Sequence, residues 1–194
     1  MKKTLAFLGA GIFFGGLLAW ILLNPVGNEG FFTAGASIPT ADPAPSGSAQ
    51  TSTIPRVGET APDFELTTYD NRKIRLSELR GSPILVNFWA TWCGPCRIEM
   101  PAIQSQFARF APDLKVLAVN YDETPEQIES FARELDLEFD LLVDPGGKVS
   151  EEDYFVRAYP SSYFIDREGV IQVVHLGLMS DAQLDDYLKR IGVE

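Results

Sequence analysis

Runs of apolar residues, separated by short polar and turn-forming segments, predict the central elements of a domain that begins near residue 55. Residues 84–89 are almost continuously apolar and follow Gly81-Ser82-Pro83, a pattern typical of a central strand covered on both faces. Apolar residues then recur at helical spacing through residues 95–110. A second buried strand is predicted at residues 116–119, so a helix is expected to connect two central strands.

The outer elements are predicted from shorter patterns. A strand pair is predicted at residues 64–67 and 73–76, a helix from Thr124-Pro125-Glu126, a strand at 141–143, a hairpin at 163–166 and 171–175, and a final helix at 181–191. Strands that alternate with helices and then end in an antiparallel pair are typical of an α/β fold. We therefore expect residues 55–194 to form a central mixed sheet flanked by helices.

The amino-terminal pattern is different, because no charged residue occurs between Thr4 and Gly27. Residues 5–23 are strongly apolar, and as a helix they would be about 28 Å long, close to a bilayer core of about 30 Å. Lys2 and Lys3 precede this segment and the next basic residue is Arg56. The distribution predicts a transmembrane anchor at residues 1–23, with a cytoplasmic amino terminus and an extracytoplasmic domain.

Two alternatives to the anchor were weighed. A cleaved signal peptide has a similar charged start, but its apolar region is usually about 7–15 residues and its small-residue cleavage site follows closely. The nearest such site, Ala34-Gly35-Ala36, lies well beyond the apolar run, which favours the anchor without excluding cleavage. A buried core helix is less favoured, because no neighbouring segment covers it. Residues 24–54, rich in Pro, Gly, Ser and Ala, are predicted to be a flexible tether.

The charge of the chain limits the partners to be considered. The formal net charge is −11, and the four charged residues before residue 55 cancel, so the whole excess lies on the predicted domain. A surface this acidic repels phosphate backbones, and we therefore exclude nucleic acid as a partner.

The only two cysteines occur in Trp92-Cys93-Gly94-Pro95-Cys96, directly after the predicted central strand and at the start of a helix. Free N–H groups at a helix start stabilise negative charge, so the pKa of Cys93 is expected to be lowered. A Cys93 thiolate would attack a disulfide, and Cys96, one helical turn away, would release the partner by closing the ring. The pattern therefore predicts thiol–disulfide exchange.

Other uses of the two cysteines fit less well. A zinc site needs four ligands, and the chain adds only one histidine, His175, which is expected to be a packed residue; we predict no metal. A purely structural disulfide closes a very short loop and stabilises little, although an extracytoplasmic location permits it.

The run from Phe88 to Cys96, with Pro101 and with Tyr159-Pro160-Ser161, is similar to the active-site segments of thioredoxins. The predicted amino-terminal hairpin, the extra helix and strand between residues 124 and 143, and the anchor resemble the TlpA/ResA-like branch, which shares the AhpC/TSA–redoxin group. The resemblance implies a thioredoxin-like fold and a membrane-anchored thiol–disulfide oxidoreductase. It implies no cofactor beyond a Cys93–Cys96 disulfide.

The resemblance also implies roles for individual residues. Catalysis is assigned to Cys93 and Cys96, and substrate binding to five residues: Trp92, Gly94, Pro95, Tyr159 and Pro160, the last after a cis peptide bond. Thioredoxins carry a buried aspartate on the strand before the disulfide, where this chain has Asn87, which cannot accept a proton. Glu99 lies three residues after Cys96 on the same helix face, as in ResA-like proteins, and we predict that it handles the Cys96 proton.

The resemblance further implies disulfide-containing proteins outside the cytoplasm as partners, among them apocytochrome c, together with a membrane electron donor. Two other functions were considered. A peroxiredoxin-like peroxidase normally carries Pro-x-x-x-Thr-x-x-Cys, and here Val86 and Ala90 occupy the Pro and Thr positions. A non-enzymatic binding module would use the disulfide only to brace the helix. The direction of electron flow stays open at this point, because related proteins range from about −270 to −120 mV.

Overall fold

The computed structural model describes residues 54–194, which contain one mixed sheet of seven strands and three helices. The strands are β1 (Glu65–Thr68), β2 (Lys73–Arg75), β3 (Ile84–Trp89), β4 (Lys115–Tyr121), β5 (Asp140–Asp144), β6 (Ser161–Ile165) and β7 (Ile171–Leu176). The helices are α1 (Gly94–Phe110), α2 (Pro125–Glu134) and α3 (Asp181–Arg190). The predicted α/β architecture, with its mixed sheet and flanking helices, is confirmed.

The strands follow the order β2-β1-β5-β4-β3-β6-β7. Strands β3, β4 and β5 are parallel neighbours, and all other pairs are antiparallel. The connections through α1 and α2 advance across the sheet in the same direction. Because such crossovers are right-handed, both helices lie on the same face of the sheet.

Each face of the sheet has its own core. On the helical face, Met100, Ile128 and Leu184 bring α1, α2 and α3 into one cluster of buried side chains. On the opposite face, Phe64 and Tyr154 belong to a second cluster with side chains from the sheet. Alternate residues of β3 therefore enter different cores, and all six are buried, as the continuous apolar run predicted.

The segment after β5, for which no helix or strand was predicted, forms a turn and then a wide helical turn at Lys148–Asp153. The buried side chain of Asp144 organises it by accepting bonds from the N–H groups of Val149 (3.0 Å) and Ser150 (2.8 Å). Gly147 has a φ of 66°, and a Cβ there would lie 2.2 Å from the Tyr121 ring. Pattern reasoning could not find this segment, because a single buried carboxylate organises it.

The predicted anchor at residues 1–23 and most of the predicted tether at 24–54 lie outside the described residues. Between residues 54 and 194, no helix combines the length and the apolarity needed to cross a bilayer.

Candidate active site

The two cysteines form a disulfide where β3 passes into α1. Cys93 is the N-cap residue of α1, and its Sγ lies 3.2 Å from the backbone N–H of Cys96, which donates to it. Cys93 is 5% exposed and Cys96 only 1%. The fold thus places the Cys93 sulfur at the positive end of a 17-residue helix, where a thiolate is stabilised.

The loop that precedes Cys93 is held by a carboxylate from another part of the chain. Glu123 accepts hydrogen bonds from the backbone N–H of Thr91 (2.6 Å), from the Thr91 hydroxyl and from the side-chain amide of Asn120 (2.8 Å). The sequence analysis missed Glu123, because 32 residues separate it from Thr91 and no local pattern links them. These bonds tie the loop after β3 to the loop after β4.

Glu99 lies one turn past Cys96 on α1 and is 2% exposed. One carboxylate oxygen accepts from Nδ2 of Asn87 at 3.0 Å, and the other from the backbone N–H of Met179 at 2.8 Å. Burial raises the pKa of Glu99 to about 7, and the two N–H donors oppose this rise. A carboxyl group with a pKa near neutrality can take up or release a proton at working pH.

Asn87 connects Glu99 to the sheet. It faces the helical side of β3, and its Nδ2 also donates to Oγ of Ser162 on the adjacent strand β6 at 2.9 Å. Asn87 and Ser162 are almost completely buried. The position at which thioredoxins carry an aspartate therefore holds a neutral side chain that is bonded directly to the carboxyl group of Glu99.

The predicted substrate-binding residues surround the disulfide. Trp92 is exposed on the loop before Cys93, Gly94 and Pro95 are exposed at the start of α1, and the Tyr159–Pro160 peptide bond is cis, as expected. The ring of Tyr159 lies 5.8 Å from that of Trp92. Three of the five predicted residues therefore flank Cys93 directly, and Tyr159 brings the cis-proline loop against Trp92.

Further apolar side chains lie on the segments that border these loops. Ile98, Leu176 and Leu178 are 67%, 70% and 45% exposed. Leu176 pairs with Ser161 at the end of the cis-proline loop, and the next residue donates a backbone hydrogen bond to the carbonyl of Pro160 at 2.8 Å. These residues could not be told from core residues by sequence, because Ile98 fits the apolar spacing of α1 and because Leu176 and Leu178 lie at and just beyond the end of the apolar strand β7.

His175 takes no part in the disulfide site. Its ring nitrogens lie 3.3 Å from the Tyr187 hydroxyl and 3.4 Å from the carbonyl oxygen of Leu178, so it is a packed residue as expected. Among residues 54–194, no three His, Cys, Asp or Glu side chains come close enough together to hold a metal ion.

A disulfide that joins the end of a central strand to the start of a helix, beside a cis-proline loop, defines a thioredoxin-like protein. The sequence profile of the AhpC/TSA family matches residues 57–174, and the chain belongs to this family.

Comparison with known proteins narrows the class. The chain is 41% identical over 134 residues to the thioredoxin-like protein YneN of Bacillus subtilis, covering 68% of this chain and 78% of YneN. It is 35% identical over 137 residues to the thiol-disulfide oxidoreductase ResA of Bacillus thuringiensis subsp. konkukian, covering 70% and 78%. The crystal structure of a candidate thiol:disulfide interchange protein DsbE from Chlorobium tepidum superposes with a TM-score of 0.65 at 32% identity, covering 71% of this chain and 99% of that one.

These relatives confirm the TlpA/ResA-like resemblance. The chain is a thiol–disulfide oxidoreductase, and the peroxiredoxin alternative is wrong. Its two cysteines also pair with each other within one helical turn.

Proposed function

We propose that the protein reduces disulfides of partner proteins outside the cytoplasm, with the Cys93–Cys96 dithiol as its redox group and no other cofactor. The observation that carries this proposal is the position of the two sulfurs. Cys93 caps α1 between the exposed residues Trp92 and Gly94, whereas Cys96 lies one turn into the helix, on the side of the buried Glu99. This arrangement suits Cys93 as the thiolate that attacks the partner and Cys96 as the thiol that later releases it.

The first step is attack by the Cys93 thiolate on a sulfur of the partner disulfide. A bond forms between Cys93 and that sulfur, the partner's S–S bond breaks, and the second partner sulfur leaves with the electron pair as a thiolate. The start of α1 favours the Cys93 thiolate, because its N–H groups and dipole stabilise negative charge.

The second step releases the partner. Glu99, as a carboxylate, takes the proton of the Cys96 thiol, and the Cys96 thiolate attacks the Cys93 sulfur. The bond between Cys93 and the partner breaks, the partner leaves reduced, and the Cys93–Cys96 disulfide forms. A pKa of about 7 suits Glu99 to this task, since a base works best when its pKa lies near the operating pH.

The partner would lie across the exposed loop around Cys93. Trp92 is 65% exposed and supplies an apolar platform, with Tyr159 and the cis-proline loop on one side of it. Gly94 and Pro95 continue this exposed surface into the first turn of α1. An extended segment of a disulfide-containing protein fits such a surface better than a compact small molecule does.

The location and the partners are part of the proposal. The apolar segment at residues 5–23 would anchor the chain in the cell membrane with its domain outside, where protein disulfides persist. A membrane electron donor would keep the dithiol reduced there. Apocytochrome c is the substrate that the TlpA/ResA-like resemblance favours.

The decisive experiment is a redox titration of the protein against glutathione or dithiothreitol. A potential below about −230 mV supports a reductase, and one near −120 mV overturns the proposal in favour of an oxidant. Replacing Cys96→Ser should trap partners as mixed disulfides on Cys93, and Cys93→Ser is the matched control that should trap none. Partners captured from outside the cytoplasm, identified by mass spectrometry, then test the proposed location and substrates.

A further inference from the structure

The side-chain amide of Asn87 forms hydrogen bonds through its nitrogen but none through its oxygen. Its Nδ2 donates to Oε1 of Glu99 at 3.0 Å and to Oγ of Ser162 at 2.9 Å. Its Oδ1 has no hydrogen-bond donor within residues 54–194, although the residue is only 1% exposed. A buried acceptor without a donor is unfavourable, and most such groups in proteins are satisfied. The unsatisfied oxygen therefore requires a physical reason.

The charge on Glu99 determines which end of the amide faces it. An ionised carboxylate can only accept hydrogen bonds, so Nδ2 of Asn87 must point towards it. The second carboxylate oxygen already accepts from the N–H of Met179. A protonated carboxyl group has an O–H that needs an acceptor, and a half-turn of the Asn87 amide supplies Oδ1 at the place where Nδ2 had been.

Ser162 can serve both orientations of the amide. It is the cross-strand neighbour of Asn87 in the β3–β6 pair, and its side chain is completely buried. A hydroxyl group both donates and accepts, so Oγ can accept from Nδ2 in one state and donate to Oδ1 in the other. One end of the amide lacks a partner in each orientation, so neither orientation satisfies all of its polar atoms.

We propose that Asn87 is a positioning residue whose amide makes a half-turn as Glu99 gains the proton of Cys96. It donates to the carboxylate before the transfer and accepts from the carboxylic acid afterwards. This inference rests on the proposed role of Glu99. When Glu99 later releases the proton to solvent, the amide returns to its first orientation.

Few other titratable groups face Glu99. The adjacent strands β3 and β6 contribute the neutral Asn87 and Ser162. Strand β7 contributes His175, the cross-strand neighbour of Ser162, and α3 contributes Tyr187, whose hydroxyl lies 3.3 Å from that histidine. His175 is the other ionisable side chain in this region, so His175→Gln is the control.

The primary test is NMR on the full chain in a mild detergent, with the disulfide oxidised and with ¹⁵N in asparagine side chains and ¹³C in glutamate carboxyl groups. We expect the Glu99 carboxyl and the Asn87 amide to titrate with one midpoint, in the wild type and in His175→Gln. Below that midpoint the amide protons should lose their nuclear Overhauser contacts to Ser162. Contacts that stay the same on both sides of the Glu99 midpoint would overturn the proposal.

Kinetics give a second readout. In the wild type, Asn87 forms a charge-assisted hydrogen bond to ionised Glu99 and a weaker neutral one to protonated Glu99. Asn87→Leu removes both, which costs the ionised form more, so the pKa of Glu99 should rise. The midpoint of the pH profile for disulfide exchange should move up by about one unit, with a roughly fivefold or greater loss of rate at pH 7. Thr68→Val, at another buried neutral residue on the distant strand β1, is the control and should leave the midpoint in place.

The two levels of the proposal fail in different ways. If Glu99→Gln leaves the pH profile of exchange unchanged, the proposed function of Glu99 fails. If Glu99→Gln flattens the profile but folded Asn87→Leu keeps the wild-type midpoint, only the role of Asn87 fails. If Asn87→Leu does not fold, the measurement on the wild-type amide still decides.

Discussion

Replacing Glu99→Gln should remove a large part of the pH dependence of stability of the oxidised protein. In the native state the pKa of Glu99 is about 7, against an ordinary value of 4.5, because the carboxyl group is buried. Below pH 4.5 the group is protonated in both the native and the unfolded state. Above pH 7 it is ionised in both, and the native state then carries the full penalty of a buried charge. Stability is therefore lost as the pH rises from 4.5 through 7.

The size of this loss follows from the shift in pKa. A difference of about 2.5 units at about 1.4 kcal/mol per unit gives about 3 kcal/mol. The side chain is only 2% exposed, so solvent screening removes little of this energy. In Glu99→Gln no group titrates at this position. The NH2 group of the new glutamine does face an N–H donor, either that of Asn87 or that of Met179. This donor–donor contact destabilises the variant equally at both pH values.

The assay is urea unfolding of residues 55–194 with the disulfide intact, at pH 4.5 and at pH 8. For each protein we take the difference in unfolding free energy between pH 4.5 and pH 8. The other carboxylates contribute equally to this difference in wild type and variant, so the two differences can be compared directly. We expect the wild type to lose about 3 kcal/mol more than Glu99→Gln. Glu129→Gln, at an exposed carboxylate, is the control and should behave as the wild type does. If wild type and Glu99→Gln lose the same unfolding free energy between the two pH values, the Glu99 carboxyl group is not shielded from water and the argument is refuted.

Three further predictions concern the surroundings of the disulfide. Glu123→Ala leaves three donors without their acceptor and should lower the unfolding free energy in urea by about 2 kcal/mol, whereas Glu129→Ala should change it by less than about 0.5 kcal/mol. Trp92→Ala should raise KM for a disulfide-containing peptide roughly tenfold with little effect on kcat or thermal stability, and an unchanged KM would argue against the docking surface. Gly147→Ala should destabilise by about 2 kcal/mol more than Gly146→Ala, since both have positive φ but only Gly147 lies against an aromatic ring; equal melting temperatures would contradict this.

The elements that could be predicted are those whose pattern is local. Strand β3 was predicted at its observed bounds, because six consecutive buried positions leave little ambiguity. The start of α2 was also predicted, since Thr124 and Pro125 are a cap and a first helical residue whatever the tertiary structure. The cysteine pair and its helix start were found for the same reason.

The parts that could not be predicted depend on contacts between distant residues. Glu99 was selected by its spacing from Cys96, but its burial depends on the backbone of Met179, 80 residues away. The bond from Asn87 to Ser162 spans 75 residues, and it becomes visible only once β3 and β6 are paired in register. The carboxylate of Glu123 resembles any polar loop residue until the two loops are brought together.

The burial of Cys96 behind Cys93 has a consequence for steady-state kinetics. Because Cys96 is 1% exposed and Cys93 lies between the exposed residues Trp92 and Gly94, we expect electrons to enter and leave through the Cys93 sulfur and the surface around it. A reductant and a disulfide substrate that both react at this sulfur would compete for that surface, so we expect no ternary complex. Initial-rate plots at several donor concentrations should give the parallel lines of a ping-pong mechanism, with each reactant inhibiting competitively against the other at high concentration.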